Sequence, residues 1–127
     1  MKINNIVPEK HKYLQVLVNI PKPPEILHYI GTLPSERRPS VAIVGTRKPT
    51  AYGKEVTTRL AYDLASRGVV IVSGLAIGVD GLAHTAALDA SGTTIAVLGN
   101  GLPNIYPTSH AQLAKRICDQ GGAILSE

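Results

Sequence analysis

From Ser40 onward, short runs of aliphatic and β-branched residues alternate with stretches whose apolar positions recur at helical spacing. Val41–Val44, Val69–Val72, Thr93–Leu98 and Ala123–Leu125 are near-continuous apolar runs, the pattern of buried strands in a parallel sheet. Between them, Val56, Leu60 and Leu64 fall on one helical face with Ala61 and Ala65. A second stripe holds Leu82, Ala83, Ala86, Ala87 and Ala90, and a third holds Leu113, Ala114, Ile117 and Cys118. Gly68, Gly92 and Gly121 follow the three stripes, where a helix stops best on a residue that tolerates positive φ. Ser109-His110-Ala111-Gln112 has capping-box spacing at the start of the third stripe. The order β-α-β-α-β-α-β, with right-handed crossovers, predicts an α/β fold: a doubly wound, mainly parallel, Rossmann-like sheet, present here in part.

Residues 1–39 read differently. Pro8, Pro21, Pro23, Pro24, Pro34 and Pro39 rule out a long helix and leave room for a short strand at Leu14–Ile20. This stretch is expected to be a leader or linker ahead of a core at residues 40–127. In a parallel α/β sheet every strand-to-helix loop emerges at the carboxyl edge of the strands, where ligands bind. Three loops share that edge: Gly45–Thr50, Ser73–Asp80 and Gly99–Thr108.

Composition narrows the reading. A chain of 127 residues suits one domain, and the absence of Phe and Trp leaves Val, Ile, Leu and Ala to fill its core. No apolar run approaches the roughly 20 residues of a membrane span, and Met1-Lys2-Ile3-Asn4-Asn5 lacks the apolar segment of a secretory signal. The expectation is a soluble, cytoplasmic protein with no membrane partner. Cys118, the single cysteine, sits in a helical stripe and is expected to be a buried structural thiol. The formal charge of +4 is uneven: residues 1–50 carry eight Lys/Arg against three Asp/Glu, residues 51–127 five against six. That asymmetry suits a polyanionic partner only if a site exists to receive it.

The loop Gly45-Thr46-Arg47-Lys48-Pro49-Thr50 has the makings of an anion site. Gly45 allows a sharp turn and close approach, the following helix start offers unpaired N–H groups, and Arg47 and Lys48 add charge. The alternative is that Arg47 pairs with a local carboxylate; Thr50 can cap the helix in either case. The loop lacks both the G-x-x-x-x-G-K-[ST] and the G-x-G-x-x-G spacing, so neither nucleotide hydrolysis nor ordinary dinucleotide binding follows. In the second loop Ser73, Gly74 and Gly78 could form a neighbouring cradle, with the Ser73 hydroxyl open to a phosphate or sugar. Asp80 and His84, four apart, are expected to serve structure: Asp80 as a helix cap, His84 bonding back to the loop. In the third loop Tyr106 could stack on a base, but packing between Ile105 and Pro107 is favoured. No His, Cys and carboxylate cluster suggests a metal.

Four ordered blocks then carry a resemblance: Ser40-Val41-Ala42-Ile43-Val44-Gly45-Thr46-Arg47; Val72-Ser73-Gly74-Leu75-Ala76-Ile77-Gly78-Val79-Asp80-Gly81-Leu82-Ala83-His84; Thr93 to Leu102 with Ile105-Tyr106-Pro107; and Ile124-Leu125-Ser126-Glu127. From about Pro21 to the last residue the chain resembles the first part of the Rossmann-like core of the DprA/Smf family. The resemblance implies single-stranded DNA binding in DNA uptake, natural transformation and recombination, delivery of the strand to the RecA recombinase, and no cofactor or bond-making chemistry. It places Arg47 on DNA phosphates, with Gly45, Thr46, Ser73, Gly74 and Gly78 beside it, and Lys48 at a position where the family varies. Family cores continue through an F-P-x-R-N-R-type block and further strands that bear the self-pairing and recombinase surfaces. The chain is thus read as a cut piece or a short relative, and its unpaired sheet edge suggests a homodimer or marginal stability. Two other readings stay open: a sensor domain for a nucleotide or NAD derivative, and a phosphoribohydrolase, whose P-G-G-x-G-T block is missing.

Overall fold

The computed structural model describes residues 2–127. Its centre is a six-stranded sheet in the order β1-β2-β6-β5-β4-β3. The strands are β1 (Asn4–Ile6), β2 (Leu27–Gly31), β3 (Ser40–Ala42), β4 (Val70–Ser73), β5 (Thr94–Val97) and β6 (Ala123–Ser126). β3, β4, β5 and β6 are parallel, joined by α1 (Ala51–Ser66), α2 (Val79–Asp89) and α3 (Ala111–Asp119). The α/β, Rossmann-like class stands. Because the order of these four strands never reverses, right-handed crossovers carry all three helices to one face. Ile71, Ala96 and Ile124 point into that helical layer, against Ala61, Ala65, Ala83, Ala86, Ala114 and Ile117. The residues therefore form one half of a doubly wound arrangement.

The proline-rich stretch belongs to the sheet. β1 pairs with β2, and β2 runs antiparallel to β6 in the register Tyr29↔Leu125 and Ile30↔Ile124. The strand expected at Leu14–Ile20 is a 3₁₀ turn, Gln15–Asn19, instead. The gap between Pro8 and Pro21 left room for a strand. Packing selected the three-residue spacing of Leu14 and Leu17, which a 3₁₀ turn aligns on one side. Those two side chains join Val70, Ile95, Ala123 and Leu125 on the face opposite the helices, while Val16, Val18 and Ile20 stay exposed. This segment covers the surface that a helix layer would cover in a sheet wound both ways.

Four further expectations are corrected by the structure. On α1 the buried positions are Thr57, Ala61 and Ala65, whereas Val56 and Leu60 are exposed. Small residues face inward because α1 lies close against α2, and Gly92 shows how close: a Cβ there would sit 2.7 Å from the Ala65 Cβ. β3 is exposed along its whole length, since it forms the open edge of the sheet. The capping box before α3 is not made; a 3₁₀ turn, Thr108–His110, leads into the helix without a side-chain cap. Gly68 and Gly121 do end α1 and α3 at positive φ, but after α2 Ser91 takes that conformation, with Gly92 supplying space. Cys118 is half-buried with its thiol toward the Ile30 carbonyl, and burial, then Asp119, pushes its pKa up, as a structural thiol requires.

Because Leu14 is 4% exposed and anchors the second face, Leu14→Ala should lower unfolding stability by about 2–5 kcal/mol in urea titrations. A solvated linker would show no change.

Candidate nucleic-acid interface

All three β-to-α loops meet at the carboxyl edge of the parallel strands, and the backbones of the first two are tied together by one carboxylate. Asp80 is 7% exposed; its Oδ1 accepts the Gly45 N–H at 3.3 Å and its Oδ2 the Gly74 N–H at 3.1 Å. It does not cap α2, whose cap position is Gly78. Asp80 instead bridges the first two loops. The Val79 N–H reaches the Thr46 carbonyl, and Gly78, at φ +93°, lies so close to the first loop that a Cβ would come within 2.7 Å of the Arg47 backbone. Only glycine fits there.

Below the bridge lies a buried polar chain. His84, fully buried, accepts the Leu75 N–H on Nε2 at 3.2 Å and donates from Nδ1 to the Thr94 hydroxyl at 2.7 Å, which in turn donates to the Ile71 carbonyl. This bonding satisfies the neutral Nδ1–H tautomer, whereas a proton on Nε2 would face the Leu75 N–H. Burial, and then the neighbouring His110, lowers its pKa to about 4. His110 Nδ1 donates to the Leu75 carbonyl at 2.6 Å. Both backbone groups of Leu75 are therefore held by histidines, and Leu75 has φ +65°, rare for a branched side chain.

On this frame the expected residues divide. Arg47 and Lys48 are exposed, and none of the ion pairs among the described residues includes either one. The carboxylate-paired alternative for Arg47 is not realised. Thr50 caps α1 by accepting the Gly53 N–H at 3.0 Å, and the first turn of α1 contains no acidic residue, so its positive end is not offset. Thr46 accepts the Lys48 N–H on its hydroxyl, shaping the turn. Gly45 and Gly74 spend their N–H groups on Asp80. Ser73 departs from the expectation: it is buried, its hydroxyl donates to the Ile43 carbonyl at 2.6 Å, and it ties β4 to the end of β3. It is a brace with no proton free for a ligand.

Two clefts flank Arg47. One, of about 330 Å³, lies between the second and third loops and is lined by Arg47, Gly74, Ile77, Asn100, Tyr106 and Pro107. The other, of about 630 Å³, lies between the first loop, α2 and the start of α3. Tyr106 is 66% exposed at the rim of the first cleft, so the packed ring favoured from sequence is not found. Asn100 holds the third loop by donating to the Asn104 carbonyl, and its own carbonyl accepts from Ser126. Among the described residues no cluster of His, Cys, Asp and Glu could hold a metal ion, and no helix is long and apolar enough to cross a membrane.

The His84 chain sets a pH dependence. Its folded pKa of about 4 lies below the ordinary 6.5, so the unfolded chain takes up the proton first as pH falls. Stability is fully present above pH 6.5 and declines toward pH 4, by about 3 kcal/mol in total. Unfolding titrations across this window should show a slope that His84→Gln reduces, whatever that substitution does to stability at neutral pH.

Comparison with known proteins bears on the family and the fold. The sequence model of the family described as DNA recombination-mediator protein A matches residues 4–127. Protein Smf of Synechocystis is 44% identical over 126 residues, covering 96% of this chain and 31% of its own length. DNA processing protein DprA of Bacillus subtilis is 46% identical over 114 residues, covering 88% of this chain and 38% of its own. The chain thus spans about a third of the curated relatives it matches. Among solved structures, DNA processing protein A of Helicobacter pylori, described for its single-stranded DNA binding mode, aligns over 98% of this chain and 55% of its own, with TM-score 0.80 and 35% identity. DprA of Streptococcus pneumoniae aligns over 98% of this chain and 43% of its own, with TM-score 0.81 and 34% identity. With the motif blocks and the fold, these matches place the chain in the DNA recombination-mediator protein A family, the DprA/Smf proteins.

Proposed function

We propose that this domain binds single-stranded DNA through its phosphates, as part of a cytoplasmic DNA-processing protein that acts in DNA uptake and recombination. The observation that carries the reading is Arg47: an exposed guanidinium without a carboxylate partner among the described residues, held at the start of α1 and shared by two clefts. A guanidinium offers forked donors that match phosphate oxygens. Lys48 adds charge, while Gly45, Thr46, Gly74 and Gly78 shape the loops. Tyr106 supplies an aromatic face at the first cleft, where a base can stack without sequence preference. Binding that rests on phosphates and stacking needs no nucleophile, cofactor or metal.

Arg47→Ala should reduce affinity for oligothymidylate by at least about tenfold and lower the salt slope by about 0.7, the value for one lost phosphate contact on a single strand. Unchanged affinity and slope would sink the assignment, and saturation by a free nucleotide with none by DNA would transfer it to a nucleotide sensor. Tyr106→Ala should weaken binding by about 1–3 kcal/mol with the salt slope intact, and Tyr106→Phe should retain most of the affinity. Fluorescence anisotropy at several salt concentrations measures all three.

A further inference from the structure

The second cleft is larger than the first and is not needed to explain one phosphate on Arg47. It is walled by Lys48 and Pro49 of the first loop, Lys54 of α1, Gly81 and Thr85 of α2, and His110 ahead of α3. Its lining contains three cationic side chains, Arg47, Lys48 and Lys54, and no carboxylate. Lys54 is exposed and, like Lys48, belongs to none of the ion pairs among the described residues. The charge contrast with the rest of α1 is local: one turn further on, Arg59 is neutralised by Glu55 at 3.0 Å. The wall is built around its glycines, since a Cβ on Gly81 would sit 2.7 Å from His110 Cε1. His110 is fixed there by its bond to the Leu75 carbonyl.

Arg47 and Ile77 line both clefts and so form the ridge between them. Ile77 is half exposed, and an apolar crest beside a guanidinium suits the sugar of a chain whose phosphates fall on either side. We infer that the second cleft is a further phosphate subsite for the same polynucleotide, with Lys54 as its principal binding residue, so that the strand crosses the Arg47–Ile77 ridge and occupies both clefts. The inference rests on the phosphate-binding reading of Arg47. It extends the site from the strand-to-helix loops onto the side of α1, where the glycine-rich blocks gave no indication of chemistry.

The test uses Lys54→Gln, Lys54→Arg and Arg47→Ala with oligothymidylates from about 4 to about 16 nucleotides, the usual site range. Lys54 is exposed in the second turn of α1, so glutamine and arginine, both good helix formers, should leave the fold intact. The wild type should gain affinity and salt slope once the oligonucleotide is long enough to reach past the ridge. Lys54→Gln should lose that gain, with a slope lower by about 0.7 on long oligonucleotides and affinity for the shortest ones unchanged. Lys54→Arg should keep the gain. A Lys54→Gln protein with wild-type slope at every length, while Arg47→Ala still loses binding, overturns the second subsite and leaves the first in place. Arg47→Ala without effect at any length would remove the phosphate reading and this inference with it.

Discussion

The structure depends most on how two glycine-containing loops are held against each other without filling the space between them. Asp80 does this from the first turn of α2 by accepting one backbone N–H from each loop. Carboxylate acceptors of backbone N–H groups form strong, short-range bonds. Here they fix the end of β3 relative to the end of β4, beyond the reach of the sheet ladder. His84 and His110 complete the frame by gripping the two backbone groups of Leu75. A left-handed leucine costs about 1–3 kcal/mol, and such a conformation persists only where its surroundings over-determine it. The fully buried Leu75 side chain and its two histidine partners provide that constraint.

The division of labour follows from this frame. The buried polar groups of the frame satisfy one another, while Arg47 and Lys48 on the same loops belong to no ion pair among the described residues. Ser73, Asp80, His84 and Thr94 face inward and are fully occupied by hydrogen bonds. Arg47, Lys48 and Lys54 face outward. Loops fixed by a hydrogen-bonded interior, beneath charges left for a ligand, are what the proposed grip on a polyanion requires.

Much of this was legible in the residues. Apolar runs located four strands, and the stripes located three helices to within a few residues. Arg47 and Lys48 announced themselves as charge at the end of a strand and the start of a helix. The errors came where tertiary packing overrode local pattern. The gap between Pro8 and Pro21 left room for a strand at Leu14 to Ile20, yet two leucines three apart found the same sheet face. On α1 the larger apolar side chains were expected inside, but the closeness of α2 favoured alanine there. Ser73 was read as a ligand group because a hydroxyl in a glycine-rich loop can serve either purpose, and only the position of the Ile43 carbonyl decides which. Lys54 gave no signal, since a lysine on an amphipathic helix is ordinary until its neighbours across space are known.

The antiparallel pairing of β2 with β6 joins His28 to Ser126, close to a hundred residues further along the chain. Helices α1 and α2 pack on each other and on β4 from neighbouring stretches of sequence, contacts that close only short loops. β2 takes its place beside the parallel strands only through β6, its other neighbour being β1. Seating the N-terminal strands in the sheet therefore carries the entropy of closing a long loop of chain. Such non-local closure is what slows α/β folding relative to helical bundles of the same length.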